Sequence, residues 1–120
     1  GLSSIDEIVT ENFAKKAQEI AQHWRGRMEE LQKRYELIGD IRGRGILQGI
    51  ELVRNRETKE PATREATEIF KTCVQEGLLF SVRGLHQNVL RFVPPFTTTL
   101  AQLDQAASIL ERAIRKSLRM

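Results

Sequence analysis

The sequence predicts an α+β domain, a two-layer α-β-β-α-β-β-α unit in which helices cover one face of a small, mainly antiparallel sheet. Three observations point there. Segments near the start, middle and end of the chain repeat apolar residues at helical spacing. The runs between them are rich in β-branched residues and come in adjacent pairs, which is the order of hairpins rather than of crossovers. No repeat, low-complexity tract or linker divides the 120 residues. We therefore read 1–120 as a single domain, with an N-terminal helix over 4–35 and an α+β core over 38–120.

The elements follow in order. Ser4 and Glu7 stand at capping-box spacing. Ile5, Ile8, Val9, Phe13, Ala17, Ile20, Ala21, Trp24, Met28, Leu31 and Tyr35 then recur on one helical face. The polar triplet Thr10, Glu11, Asn12 offers a place for this helix to break, with Thr10 or Asn12 capping a restart. Trp24 and Met28 read as core or inter-domain packing, and His23, beside the stripe, as a solvated helix residue. Gly39 closes the helical texture, and 38–53 reads as two short strands with a tight connection through Gly43 to Gly45. Glycine weakens a strand and marks close backbone approach, so Gly43, Gly45 and Gly49 suggest that something packs tightly on this ribbon. Their spacing is wrong for a dinucleotide-binding turn.

Residues 54–62 read as a polar loop closed by Pro61. A second helix follows, capped by Thr63, with Ala66, Ile69, Phe70, Cys73 and Val74 inward and Gly77 as its stop. A buried strand is expected over 78–82, then a loop over 84–88 with His86 exposed. A further strand over 89–93 is ended by Pro94-Pro95, because proline cannot donate to a ladder. The last helix starts at Thr99, with Gln102 at capping-box distance, and turns Leu103, Ala106, Ala107, Leu110, Ala113, Ile114 and Leu118 inward.

Composition removes several function classes. Hydrophobic residues make up 40% and charged residues 29%, enough for one core and far too charged for a membrane span. The opening Gly1-Leu2-Ser3-Ser4 has neither a basic nor an apolar leader region, so no secretory signal is expected, and the missing initiator Met is what a piece of a longer chain has. The single cysteine, Cys73, excludes an internal disulfide and fits a reducing, cytoplasmic setting. In its apolar stretch it reads as a buried, inert thiol. The net charge of +3 comes from 19 Lys and Arg interleaved with 16 acids, not gathered on one face as nucleic-acid binding requires. Arg42-Gly43-Arg44-Gly45 reads as a turn rather than an RGG box.

Arg91 is the informative side chain. It stands in mid-strand within an apolar segment, on the opposite face from Leu90 and Phe92. Burying a guanidinium without a partner is costly, and arginine cannot lose its proton. Arg91 is therefore solvated, paired with an internal carboxylate, or free for an anion; from pattern alone the first two are the ordinary cases. Its planar fork suits a bidentate grip on a carboxylate.

The run Ile38-Gly39-Asp40-Ile41-Arg42-Gly43-Arg44-Gly45-Ile46-Leu47-Gln48-Gly49-Ile50-Glu51-Leu52-Val53 resembles a characteristic segment of class III aminotransferases. Thr58-Lys59-Glu60-Pro61-Ala62, Glu76-Gly77-Leu78-Leu79, Asn88-Val89-Leu90-Arg91-Phe92-Val93-Pro94-Pro95 and Gln102-Leu103-Asp104-Gln105-Ala106 match the same family in the same order. Dialkylglycine decarboxylase and the ω-aminotransferases are similar. The resemblance implies the C-terminal small domain of a fold type I pyridoxal-phosphate enzyme, which moves an amino group between an amino donor and a keto acid. It implies a homodimeric parent whose larger N-terminal domain holds the cofactor and is this segment's partner. Carried over to this sequence, the arginine before the Pro-Pro pair, which binds the substrate carboxylate, is Arg91. Pyridoxal-phosphate chemistry needs a Schiff-base lysine. None of Lys15, Lys16, Lys33, Lys59, Lys71 and Lys116 resembles that position, so no bound cofactor and no activity are expected of this segment alone. A different class of function, a free-standing α+β module that binds a carboxylate or amino acid for regulation, also accommodates Arg91. A nucleic-acid partner and a membrane are not expected.

Overall fold

Strand alternation decides this fold, because it sorts every residue of the central strands onto one of two unlike faces. The computed structural model describes residues 2–119, with side chains described over 11–119. Its elements are α1 (Leu2–Arg34), β1 (Ile38–Arg44), β2 (Leu47–Asn55), β3 (Glu60–Pro61), α2 (Thr63–Gln75), β4 (Ser81–Arg83), β5 (Val89–Phe92) and α3 (Leu100–Leu118). The sheet runs β1-β2-β5-β4 with every pair antiparallel, and β3 joins the outer end of β2.

The register defines the faces. Ile41 lies opposite Ile50, Ile50 opposite Leu90, and Leu90 opposite Val82. These side chains, with Leu52 and Phe92, meet the helices in a core that also holds Ile20, Trp24, Met28, Ile69, Leu110 and Ile114. Each fully buried aliphatic side chain here contributes about 1.5–3 kcal/mol relative to exposure. The helices share that one face: α1 packs on β1 and β2, α2 on β2 and β4, and α3 against both other helices. The other face carries Arg42, Gly49, Arg91 and Ser81 in one row, and no helix packs over that row among the described residues. The predicted α+β architecture is therefore present.

Several element details differ from expectation. Helix α1 runs unbroken through Thr10, Glu11 and Asn12, and its backbone starts at Leu2; the side chains of Ser4 and Glu7 lie outside the described residues. Arg56 donates to the carbonyls of Gln32 (2.6 Å) and Tyr35 (3.1 Å), satisfying orphan acceptors where this helix ends. The loop over 54–62 is shorter than predicted, because β2 continues to Asn55 and a two-residue β3 pairs with it. Thr63 does not cap α2. Ala62 holds that position without a side-chain bond, and the Thr63 hydroxyl donates to the His86 carbonyl instead. The buried strand expected over 78–82 is instead a shorter, later one, Ser81–Arg83, which is only half-buried, with Leu79 exposed ahead of it. The Thr99–Gln102 capping box forms in both directions, a feature that contributes about 1 kcal/mol.

Three stripe residues are not inward among those whose side chains are described, and Ile5, Ile8 and Val9 lie outside them. Val74 and Leu118 are exposed, and Phe13 is 51% exposed because α1 projects beyond the sheet there, stacking instead on Phe96 at a 4.1 Å centroid distance. His23 is not simply solvated. Its Nε2 lies 2.6 Å from Asp104 Oδ1, joining α1 to α3 across 81 residues of sequence.

The β1–β2 connection uses two glycines for different reasons. Gly43 has φ +117°, and a Cβ there would stand 2.1 Å from the Leu47 carbonyl oxygen. Gly45 has φ +55° but open space around it. Gly45→Ala is expected to cost about 1–2 kcal/mol, the ordinary left-handed penalty. Gly43→Ala should cost distinctly more, since backbone must move as well. Urea denaturation midpoints of the two variants check this ordering.

Candidate functional site

Arg91 sits on a rigid base. Its neighbours Leu90 and Phe92 point into the core, where the Phe92 ring lies 5.0 Å from Trp24 and 4.8 Å from Phe80 between centroids. Asn88, assigned to a loop by the sequence, is buried and fixes the start of the strand. Its Nδ2 donates to the Leu52 carbonyl at 2.9 Å, and the Leu52 N–H donates back to the Asn88 carbonyl at 2.8 Å. Beyond Phe92 the chain leaves the sheet through Pro94 and Pro95.

On this base Arg91 turns away from the core and is exposed. Among the described residues it makes no hydrogen bond or ion pair with another side chain. This removes one of the alternatives left open by pattern, pairing with an internal carboxylate among the described residues, and leaves the other two. Arg42, in the same row one strand beyond Gly49, is the opposite case. Its Nε lies 2.9 Å from Asp40 Oδ2 and its Nη2 lies 2.9 Å from Glu51 Oε2. The hydrogen bond to Asp40 first, and then the charge of Glu51, raise the Arg42 pKa further above its ordinary value. Arg44 and Arg83 share the open face but end their strands at turns, whereas Arg91 lies within its strand between two paired neighbours. An uncommitted guanidinium on a fixed strand can hold an oxyanion by two parallel hydrogen bonds at little ordering cost.

A pocket of about 340 Å³ opens beside this strand rather than over it, between the β5–α3 connection and the start of α3. Trp24, Leu78, Phe92, Pro95, Gln102 and Ala106 are among its lining, and Arg91 is not. No group of three or more His, Cys, Asp or Glu suited to a metal ion occurs among the described residues. The lysines are dispersed over α1, the β2–β3 turn, α2 and α3, and none lines this pocket. They do not fit the role of anchoring a carbonyl cofactor. His86 is exposed, as expected. No described helix is long and apolar enough to cross a membrane.

Strand alternation alone gives the outward direction of Arg91 but not the contacts that steady its strand. The buried role of Asn88 has one local signal, its position just before the strand; the aromatic contacts of Phe92 have none, since Trp24 lies on the first helix.

Cys73 is fully buried on α2. Burial, and secondarily the nearby Glu76 charge, push its thiol up to about 12. Reaction with iodoacetamide at pH 8 should accordingly be at least about 100-fold slower in the folded protein than in denaturant.

Comparison with known proteins bears on the family and the fold. The family model described as aminotransferase class-III matches residues 1–114. The chain is 40% identical over 113 residues to the leucine/methionine racemase of Thermococcus litoralis, covering 94% of this chain and 25% of that protein. It is 34% identical over 116 residues to the alanine/serine racemase of Pyrococcus horikoshii, covering 97% of this chain and 24% of that protein. A solved aminotransferase structure from Bacillus anthracis superposes with a TM-score of 0.83 at 28% identity, covering 96% of this chain and 27% of that one. The chain thus spans about a quarter of the length of the relatives it matches.

Proposed function

This chain belongs to the class III aminotransferase family, and on that premise we propose that it serves as the C-terminal small domain of a longer pyridoxal-phosphate enzyme acting on amino acids. Arg91 holds the substrate's α-carboxylate. The observation that carries this reading is the state of Arg91, a guanidinium in mid-strand, on a fixed base, with no acceptor of its own among the described residues. Its place in the sequence, before Pro94-Pro95, is the place of the carboxylate-binding arginine in the family the chain resembles.

The residues present do not hold the cofactor. Its anchoring lysine and the acid that faces its ring belong, in this reading, to the remaining three-quarters of the polypeptide, and the 120 residues alone are inactive. What this chain supplies is position. Two parallel hydrogen bonds from Arg91 fix both the place and the plane of the carboxylate, and therefore the direction of the reacting bonds at the adjacent carbon. Positioning of this sort contributes several kcal/mol of barrier reduction.

The activity we favour is transfer of an amino group between an amino donor and a keto acid. A second reading is racemisation of an amino acid, favoured by the identity of 40% and 34% to two proteins named as amino-acid racemases. Both reactions need the carboxylate held, so Arg91 serves either. Incubating the full-length protein with one enantiomer of an amino acid separates them. Formation of the mirror-image amino acid without any keto acid supports racemisation, whereas turnover that requires a keto acid supports transfer.

Arg91→Lys in the full-length protein keeps the charge but loses the fork. Loss of a charge-assisted hydrogen bond corresponds to about 1.5–3 kcal/mol. The expected result is therefore a fall in kcat/KM of about 10- to 150-fold for amino-acid substrates. An unchanged kcat/KM would remove Arg91 from the substrate site.

A further inference from the structure

We propose that the stacked pair Phe13 and Phe96, with Val93 and Leu100, is the seat on which the remaining, cofactor-holding part of the same polypeptide docks. The inference rests on the reading of this chain as one domain of a longer enzyme, and adds the surface by which the two parts meet. Phe13 belongs to the stretch of α1 that runs past the sheet, and Phe96 to the connection that leaves β5 for α3. Their rings lie 4.1 Å apart between centroids at an interplanar angle of 12°, yet Phe13 stays 51% and Phe96 38% exposed. Phe is among the side chains with most apolar surface to bury, and a pair left half in water marks a surface that another body covers.

Both segments are short of cover in their own domain. Val93 and Leu100 are exposed as well as Phe96, so the connection itself turns three large apolar side chains outward. Between Glu11 and Glu19 every residue of α1 is exposed except Lys16 and Ala17, which are half-buried. A helix this thinly packed by its own domain is one that bridges to another.

Three facts select the occupant. The chain spans about a quarter of the length of the relatives it matches, so most of such a protein lies outside these residues. In the C-terminal reading that remainder joins through the start of α1, and Phe13 is on the same helix. A substrate held at Arg91 must also meet a cofactor that no residue here anchors, which requires the cofactor-holding part to come up to the end of β5. Val93, the first residue past that strand, is where the exposed apolar run begins. A second copy of this domain would cover the rings but bring no cofactor to Arg91.

The test uses the full-length protein with p-benzoylphenylalanine in place of Phe96 and, separately, of Phe13. Irradiation should give a product of unchanged single-chain mass, whose peptide map joins the probe to a residue outside these 120. A product of twice the mass joins two copies and overturns the choice of occupant. Cross-links confined to the 120 residues, or none at all, overturn the docking seat itself. Should the probes prevent folding, hydroxyl-radical labelling of the unaltered protein decides. Both rings should then react at least about 10-fold more slowly than in denaturant, as at the buried centre of an interface. Slowing of only about two- to threefold, which exposures of 51% and 38% already give, overturns the inference. Arg91→Lys, assayed in parallel by kcat/KM, tests the carboxylate role by itself. A cross-link to the remainder with unchanged kcat/KM keeps the seat and removes Arg91 from the substrate site; a lowered kcat/KM without that cross-link does the reverse.

Discussion

Four pairings between β2 and β5 hold the molecule together: Gln48 with Phe92, Gly49 with Arg91, Ile50 with Leu90, and Glu51 with Val89. They alternate in kind as well as in direction. The Gln48–Phe92 and Ile50–Leu90 pairs face the helices; the other two pairs face away. A register shift of one residue would bury Arg91 and Glu51 and expose Ile50 and Leu90, which is why this register is strongly specified. Gln48 strengthens it from the core side, donating to the Ala21 carbonyl on α1 at 2.9 Å and to the Gly45 carbonyl in the β1–β2 turn at 3.0 Å. Helix, turn and central strand are thus fixed to one another before any surface contact is considered.

The same constraint makes the two faces chemically unequal. The helix-side face is closed by α1, α2 and α3, and those helices are cross-tied by polar contacts. Arg34 and Tyr35 both reach Glu111, at 2.9 Å and 3.0 Å, and His23 reaches Asp104. Burial tends to raise the Glu111 pKa, but the Arg34 and Tyr35 hydrogen bonds outweigh it and hold the carboxyl below its ordinary value. That group therefore stabilises the fold above the unfolded carboxylate pKa, and the contribution is lost as pH falls through the lower folded value. The open face has arginines in quantity but divides them by role. Arg42 is locked between two carboxylates, a partly exposed arrangement of small stabilising value. Arg91 is left without an acceptor among the described residues, on a strand paired on both sides, and that difference gives the open face its proposed chemistry.

Much of the architecture was legible because it rests on local signals. The three helices, the paired strands with their glycine turn, the Thr99–Gln102 box and the outward direction of Arg91 all follow from spacings of a few residues. What escaped depended on distant contacts. A two-residue strand such as β3 has no periodicity to detect, and its pairing with Val53 and Asn55 is visible only in space. Thr63 is the right residue type for a cap, yet the His86 carbonyl competes for its hydroxyl from 23 residues away. Phe13 and Leu118 continue their stripes correctly, but the stripes outrun the sheet and the neighbouring helices. His23 looked solvated because Asp104 is on another helix. At the candidate site, alternation identified the arginine, while its flanking Gly49 and Ser81 emerged only once the strand order β2-β5-β4 was known.

The most direct test of this account is a crystal structure of the full-length protein with an unreactive amino-acid analogue bound. The account predicts the analogue's carboxylate at the Arg91 guanidinium, with two N–H···O contacts of about 2.7–2.9 Å. A carboxylate held elsewhere, with Arg91 facing solvent or paired to a carboxylate of the protein, would contradict it.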